Sequence, residues 1–565
     1  MTVLCPGDVI APPIMLNENI SALDMHKECP YHKGSNGAYF GIFLYNFVDR
    51  NMYRSLCGDN VGLDSRGGNR RAISFLGVPF ADPPRRWEDA QPPRRWRGVW
   101  DARRVRPMCI QPACVTGQRL GLCLSQMSED CLYLNMYVPV DATPGGNKSV
   151  MVFIHGGNFL SYTGGAALFN GETIAERGDV ILVTINYRLG ALGFLVTGSG
   201  PGAATGNYGL KDQRLALYWI NRNIDRFGGD PQKVTIFGQS AGAVSAAIHM
   251  ISRKADRYFQ QVIIQSLPFS IPLKTFNEAY EQGSRFSEAL SCSPQDLPCL
   301  RRKTPREILR AQGHVTSGKS SSLLQRFMPW TPHYDGNEVP MDIQTAFQRR
   351  LYGRKPIIIG TTTNEGASYV YEYFRNPLNA ISYSALLMML KPKDAFTWLS
   401  RYYPRDPNDS REKLSELTTD FIFTCPARKF AKIVSEDRVP IWMYVFNHGL
   451  SPLNGTRILE YCHARACHGG ELPYLFQTLQ RLGLPLSIEE MQMSDEMLIY
   501  WTNFAKFGNP NGESEIVTGN QWPRYSTNQS YPLTSYRFQI PSSDVVVDNL
   551  GVTCDQFDQN DFSAK

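Results

Sequence analysis

Val234-Thr-Ile-Phe-Gly238-Gln-Ser240-Ala-Gly242-Ala-Val-Ser-Ala-Ala247 is the stretch that decides the fold. β-branched and aromatic residues run into Gly238-Gln-Ser240-Ala-Gly242, and a run of small, helix-tolerant residues follows. The pattern predicts a strand, a sharp turn and a helix. A turn this tight holds its central residue in a strained backbone geometry, so residues without side chains must flank it. Gly238 and Gly242 supply that room. The Ser240 hydroxyl would then stand clear of the sheet at a helix N-terminus, where free N–H groups and the helix dipole favour developing negative charge. Gly-x-Ser-x-Gly by itself decides little, because small residues are common in loops. A base, an acid and a site for an oxyanion must be found elsewhere.

Outward from this stretch the chain alternates. Upstream, Ser149-Val-Met-Val-Phe-Ile-His155-Gly156-Gly157 reads as a buried strand running into adjacent glycines, which let the backbone turn N–H groups into a pocket. Asp179 to Tyr187 is a continuous apolar strand, and Asp212 to Phe227 has helical apolar spacing, ending at Gly228-Gly229-Asp-Pro. Downstream, Gln261 to Ser266, Pro356 to Gly360 and Val439 to Phe446 read as strands, and Asp495 to Phe507 as an amphipathic helix. This alternation predicts an α/β fold, a central mostly parallel sheet with helices on both faces. Ligands of such sheets bind beyond the carboxyl ends of the strands. Glu365, in Thr361-Thr-Thr-Asn-Glu365-Gly366 after a strand, is therefore a candidate acid, and His468, in Cys467-His468-Gly469-Gly470, a candidate base. The chain has only nine histidines, so candidates for the base are few.

Composition narrows the class. The 565 residues are 42% hydrophobic and 19% charged, enough to bury a large core. The net charge of +6 (58 basic minus 52 acidic) is mild over this length. Arg85-Arg86 and Arg94-Arg95 are short pairs, so no nucleic-acid partner is expected. Thirteen cysteines outside CxxC pairs suggest disulfides plus an unpaired thiol rather than a metal site. Sequons at Asn19, Asn147, Asn408, Asn454 and Asn528 join the cysteines in favouring a glycoprotein of the secretory lumen or exterior. The segment starting at Met1-Thr-Val-Leu has no basic region and no apolar core, so it does not read as a signal peptide. Tyr39 to Val48 is too short to span a bilayer. Residues 1–60 read as an irregular extension and 61–560 as a single domain.

Seven segments together resemble the type B carboxylesterase and cholinesterase-like family of α/β hydrolases, over roughly residues 72 to 557. They are Phe75-Leu-Gly-Val-Pro-Phe-Ala-Asp-Pro-Pro84, Ser128-Glu-Asp-Cys-Leu-Tyr-Leu-Asn135, His155-Gly-Gly157, Phe227-Gly-Gly-Asp-Pro231, Gly238-Gln-Ser-Ala-Gly242, Asn364-Glu-Gly366 and His468-Gly-Gly-Glu-Leu-Pro-Tyr474. The resemblance implies an α/β-hydrolase fold and a triad of Ser240, Glu365 and His468. It implies an oxyanion hole from the N–H groups of Gly156, Gly157 and Ala241, and bridges Cys109–Cys131, Cys292–Cys299 and Cys425–Cys554. It also implies hydrolysis of a small-molecule carboxylic ester without metal or cofactor. Cys5, Cys29, Cys57, Cys114, Cys123, Cys462 and Cys467 stay unassigned, with Cys462–Cys467 and a nested Cys114–Cys123 bridge as open readings. Some members of the family are adhesion proteins that lack the nucleophile; here all three triad residues stand. Cholinesterases carry an aromatic platform in the first disulfide loop, whereas no Trp, Tyr or Phe lies between Cys109 and Cys131. Ser368 stands where a second aromatic is usual, with Tyr369 next, and Gln239 replaces an acid often found beside the nucleophile. A quaternary ammonium needs aromatic faces, so choline-ester specificity is not expected.

Overall fold

Each central strand turns alternate side chains to opposite faces, and both faces are apolar. In β3 (Lys148–Ile154), Val150, Val152 and Ile154 join one buried cluster, while Met151 and Phe153 join another. The same alternation splits Ile181, Val183 and Ile185 from Leu182 in β4 (Ile181–Ile185), and Val262 and Ile264 from Ile263 in β6 (Gln261–Gln265). A sheet apolar on both faces must be covered on both. The helices Tyr208–Asn223, Ala241–Ile251 and Cys425–Glu436 supply one cover, and Glu172–Gly178 and Ile488–Phe507 the other. This computed structural model describes residues 43–45, 72–96, 98–112, 121–315, 324–390, 394–450, 460–513, 521–527, 533–547 and 551–559. The extension expected over residues 1–60 lies outside the described residues, apart from the short strand Phe43–Tyr45.

The remaining strands of the main sheet are β1 (Ala72–Pro79), β2 (Tyr133–Pro139), β5 (Gly229–Gln239), β7 (Ile357–Thr362), β8 (Ile441–Phe446), β9 (Thr534–Phe538) and β10 (Asp544–Val547). Their spatial order is β10-β9-β8-β7-β6-β5-β3-β4-β2-β1. β4, β3, β5, β6, β7, β8 and β9 run parallel, and β1, β2 and β10 pair antiparallel to their neighbours. From β3 the chain proceeds to β4 on one side; from β5 it proceeds to β6 on the other. The strand order thus reverses between β3 and β5, and such a switch point opens a crevice beyond their carboxyl ends. His155-Gly156-Gly157 follows β3 and Ser240 follows β5.

The α/β architecture and helices on both faces agree with the sequence reading. Three details differ. The segment Phe75 to Pro84 of the family resemblance is strand only as far as Pro79. The helix expected from Asp495 begins at Ile488, because Ser487 and Glu490 close a capping box. β9 and β10 lie beyond the last predicted element, Asp495 to Phe507; Tyr536 and Phe538 enter an aromatic cluster with Tyr500 and Trp522 and so anchor β9 to β8.

Bridges join Cys109 to Cys131, Cys292 to Cys299 and Cys425 to Cys554, as the resemblance implies, and Cys462 to Cys467. Cys123 is disulfide-bonded, while Cys114, Cys5, Cys29 and Cys57 lie outside the described residues. Cys425–Cys554 closes the longest loop of the four, with a sequence separation of 129, and ties the Cys425–Glu436 helix to the C-terminal helix Gly551–Gln559. In the chain-entropy account, closing a loop of that length is worth about 4–5 kcal/mol. Replacing both cysteines by serine should lower the unfolding free energy by about that amount, read as a drop in the denaturant midpoint under non-reducing conditions. An unchanged midpoint would count against the bridge.

Candidate active site

The strand-to-helix turn takes its shape from two close approaches. Ser240 sits at φ 58°, ψ −123° and caps the Ala241–Ile251 helix. A Cβ on Gly238 would stand 2.4 Å from the Gly242 carbonyl, and one on Gly242 would stand 1.9 Å from the Ile154 carbonyl oxygen at the end of β3. Only glycine fits at either place. The Ser240 N–H donates to the Gln265 carbonyl at 3.0 Å, which fastens the turn to β6. Ser240 is 3% exposed.

Gly156 abuts the same turn: a Cβ there would lie 3.1 Å from the Ser240 Cβ. The chain then passes through a run of positive φ at Gly157 (96°), Asn158 (57°) and Phe159 (57°). Gln111 clamps this loop from the side. Its Oε1 accepts from the Tyr162 N–H at 2.7 Å, and its Nε2 donates to the carbonyls of Tyr162 (2.9 Å) and Cys109 (3.0 Å). The loop is thereby fastened beside the Cys109–Cys131 bridge. Among the described residues the N–H groups of Gly156, Gly157 and Ala241 have no protein acceptor. His155 is not a base. It stacks on Tyr187 with ring centroids 4.5 Å apart and donates from Nδ1 to the Gly156 carbonyl at 2.9 Å; burial pulls its pKa down to about 4.

Glu365 and His468 meet. The His468 Nδ1–H donates to Glu365 Oε2 at 2.5 Å, and Glu365 Oε1 accepts from the Thr362 N–H at 2.7 Å. The Glu365 side chain is wholly buried and that of His468 is 12% exposed. The backbone aligns the two loops: the Asn364 N–H donates to the Ala466 carbonyl at 3.0 Å, and Cys462–Cys467 closes the chain just before His468. Tyr369 and Phe423 each lie 5.2 Å from the imidazole, centroid to centroid. Phe423 comes from a π-helical turn, Thr419–Thr424, a distortion found at functional sites. Ser240 is adjacent but not joined to this pair. The His468 Nε2 faces the Gln239 side-chain nitrogen at 3.0 Å. Among the described residues no hydrogen bond links Ser240 to His468.

One acid in the site escapes a sequence reading. Glu471 is completely buried and accepts from Gln265 Nε2 at 3.0 Å, while its Oε2 has no hydrogen-bond partner. Burial first, and then the negative charge of Glu365, raise its pKa to about 8. Both effects favour its neutral form at pH 7, beside Gln265 at the end of β6. Its place in His468-Gly-Gly-Glu471 is visible in sequence, but its protonation follows from burial. Among the described residues no group of three or more His, Cys, Asp and Glu is placed to hold a metal ion, and no helix is long and apolar enough to cross a membrane.

A model of the Carboxylesterase family matches residues 55–543. The chain is 36% identical over 515 residues to the crystal protein of Dictyostelium discoideum, covering 89% of this chain and 91% of that protein. It is 32% identical over 484 residues to the cocaine esterase of Oryctolagus cuniculus, covering 81% of this chain and 86% of that protein. It is also 32% identical over 515 residues to neuroligin-2 of Mus musculus, covering 78% of this chain and 58% of that protein.

Glu471 yields a pH prediction. Its pKa rises from 4.5 to about 8 on folding. Between those values the folded state holds a proton that the unfolded chain has released, so this group's contribution is full below pH 4.5 and is lost as pH rises towards 8. Glu471→Gln keeps the acceptor for Gln265 and has no proton to lose. The melting temperature of the variant should therefore gain on the wild type between pH 5 and pH 8, measured by thermal denaturation. A constant difference across that range would rule out the buried neutral acid.

Proposed function

The chain belongs to the Carboxylesterase family, and from that membership we propose that it is a serine hydrolase cleaving carboxylic esters through an acyl-enzyme. The observation that carries this reading is the 2.5 Å contact between Glu365 and His468 beside the Ser240 turn. Ser240 attacks the ester carbonyl as its proton passes to His468 Nε2, and the carbonyl π pair moves onto oxygen. His468 then delivers that proton to the leaving alcohol, and water, deprotonated by the same imidazole, releases the acid. Glu365 holds the Nδ1–H and balances the imidazolium. The N–H groups of Gly156, Gly157 and Ala241 receive the oxyanion, each such donor being worth about 3 kcal/mol of barrier.

The substrate is a neutral ester of a small molecule. The loop from Cys109 to Cys131 lacks the aromatic faces that a quaternary ammonium requires, so choline esters are disfavoured. The four bridges suit an oxidising compartment, and with the sequons they support a secreted or lumenal glycoprotein. A second reading, a catalytically silent binding member of the family, draws on one observation: among the described residues no hydrogen bond joins Ser240 to His468. The retained hydroxyl and unpaired loop N–H groups favour the hydrolase.

Hydrolysis of a p-nitrophenyl acyl series by the purified protein separates the two. Turnover is expected, and Ser240→Ala should reduce it by more than about a thousandfold at an unchanged melting temperature, because one hydroxyl is lost. Turnover retained in Ser240→Ala, or none from the folded wild type, would reject the hydrolase.

A further inference from the structure

We propose that the Gln239 carboxamide is a resting-state latch on the base, one that an incoming acyl group must displace before Ser240 can react. The inference rests on the serine-hydrolase reading and adds a positioning residue to it. The His468 Nδ1–H is committed to Glu365 Oε2 at 2.5 Å, so the lone pair of the neutral ring lies on Nε2. The Gln239 side-chain nitrogen stands 3.0 Å from that atom. An amide nitrogen only donates, so its N–H fills the lone pair that Ser240 needs. The reverse amide orientation would set a carbonyl oxygen against the same lone pair. Among the described residues no hydrogen bond joins Ser240 to His468. Nucleophile and base are thus adjacent, and the base is held by a different partner.

The position of the carboxamide says what releases it. Gln239 is 5% exposed. A Cβ on Gly156 would lie 3.0 Å from its Oε1, and one on Gly469 would lie 3.4 Å from its Nε2. The amide therefore occupies the slot between the loop that offers N–H groups and the loop that carries the base. An acyl oxygen seated beside Gly156 would have Gln239 Oε1, an atom of the same partial charge, as a neighbour, which favours moving the amide away from that loop. Proton transfer enforces the same release. Once His468 Nε2 carries the Ser240 proton, an N–H faces the amide N–H, and two donors cannot share a hydrogen bond. A residue at 239 without an N–H removes the requirement.

The test measures the second-order rate at which a fluorophosphonate modifies Ser240. In that step the Oγ–P bond forms and the P–F bond breaks. Fluoride leaves, and the Ser240 proton passes through His468 to solvent. Gln239→Met keeps the length and lacks the donor; Ser240→Ala controls for the site of labelling. Gln239→Met should react about fivefold faster than the wild type, the worth of one neutral hydrogen bond, on an unchanged melting curve. A purely structural role would slow labelling or lower the melting temperature and would not accelerate it. Labelling of the variant but not of the wild type is the same result in stronger form. Equal or slower labelling of the folded variant, with the wild type labelled at Ser240, overturns the latch and leaves the hydrolase standing. Absence of labelling in every folded protein rejects the hydrolase and the latch with it. If Gln239→Met does not fold, Gln239→Leu, which lacks an N–H and carries no charge to hold the imidazole protonated, takes its place with the same expected result.

Discussion

The structure depends on the absence of two side chains. Gly242 lies so close to the Ile154 carbonyl, and Gly238 so close to Gly242, that a single methyl group at either place would force the Ala241–Ile251 helix off the ends of β3 and β5. With both absent, the helix seats directly against the sheet, and the chain between strand and helix must turn within one residue. Ser240 accepts that cost at φ 58°. The turn stands at the reversal of strand order, so the hydroxyl opens onto the crevice that the topology creates.

Around that turn, backbone groups do most of the holding. Glu365 is steadied by the Thr362 N–H and by burial, and the loop of His468 is drawn to it by Asn364 and Ala466, with Arg465 of that loop paired to Glu412. Gln111 fastens the glycine loop through its carboxamide alone. Such contacts leave the polar side chains free of competing partners, with one exception. The Gln239 side-chain nitrogen faces the His468 Nε2 at 3.0 Å.

Much of this was legible because it is local. Gly238, Ser240 and Gly242 lie within five residues and follow a strand, and a strand-turn-helix pattern needs no knowledge of distant contacts. Glu365 and His468 were marked by the strands before them and the glycines after them, and the three assigned bridges by the family resemblance. What stayed hidden has a common cause. β9 is short and partly polar, and it becomes a strand because β8 offers an edge and Tyr500 and Trp522 offer a place for Tyr536 and Phe538. The π-helical turn that brings Phe423 to His468 has no local signature. The neutral state of Glu471 follows from burial beside another carboxylate, which no spacing reveals.

By itself, then, the sequence determined the order of the central strands and helices, the doubly covered sheet and the identities of a candidate nucleophile, acid and base, because each rests on periodicity or on the steric needs of a few neighbouring residues. Only the tertiary structure decided how those groups are partnered. Gln239 and His468 are 229 residues apart along the chain and 3.0 Å apart in space. Sequence places both beside the site, but which of two neighbours fills an imidazole lone pair is a matter of ångströms, and those are set by the packing of the whole sheet.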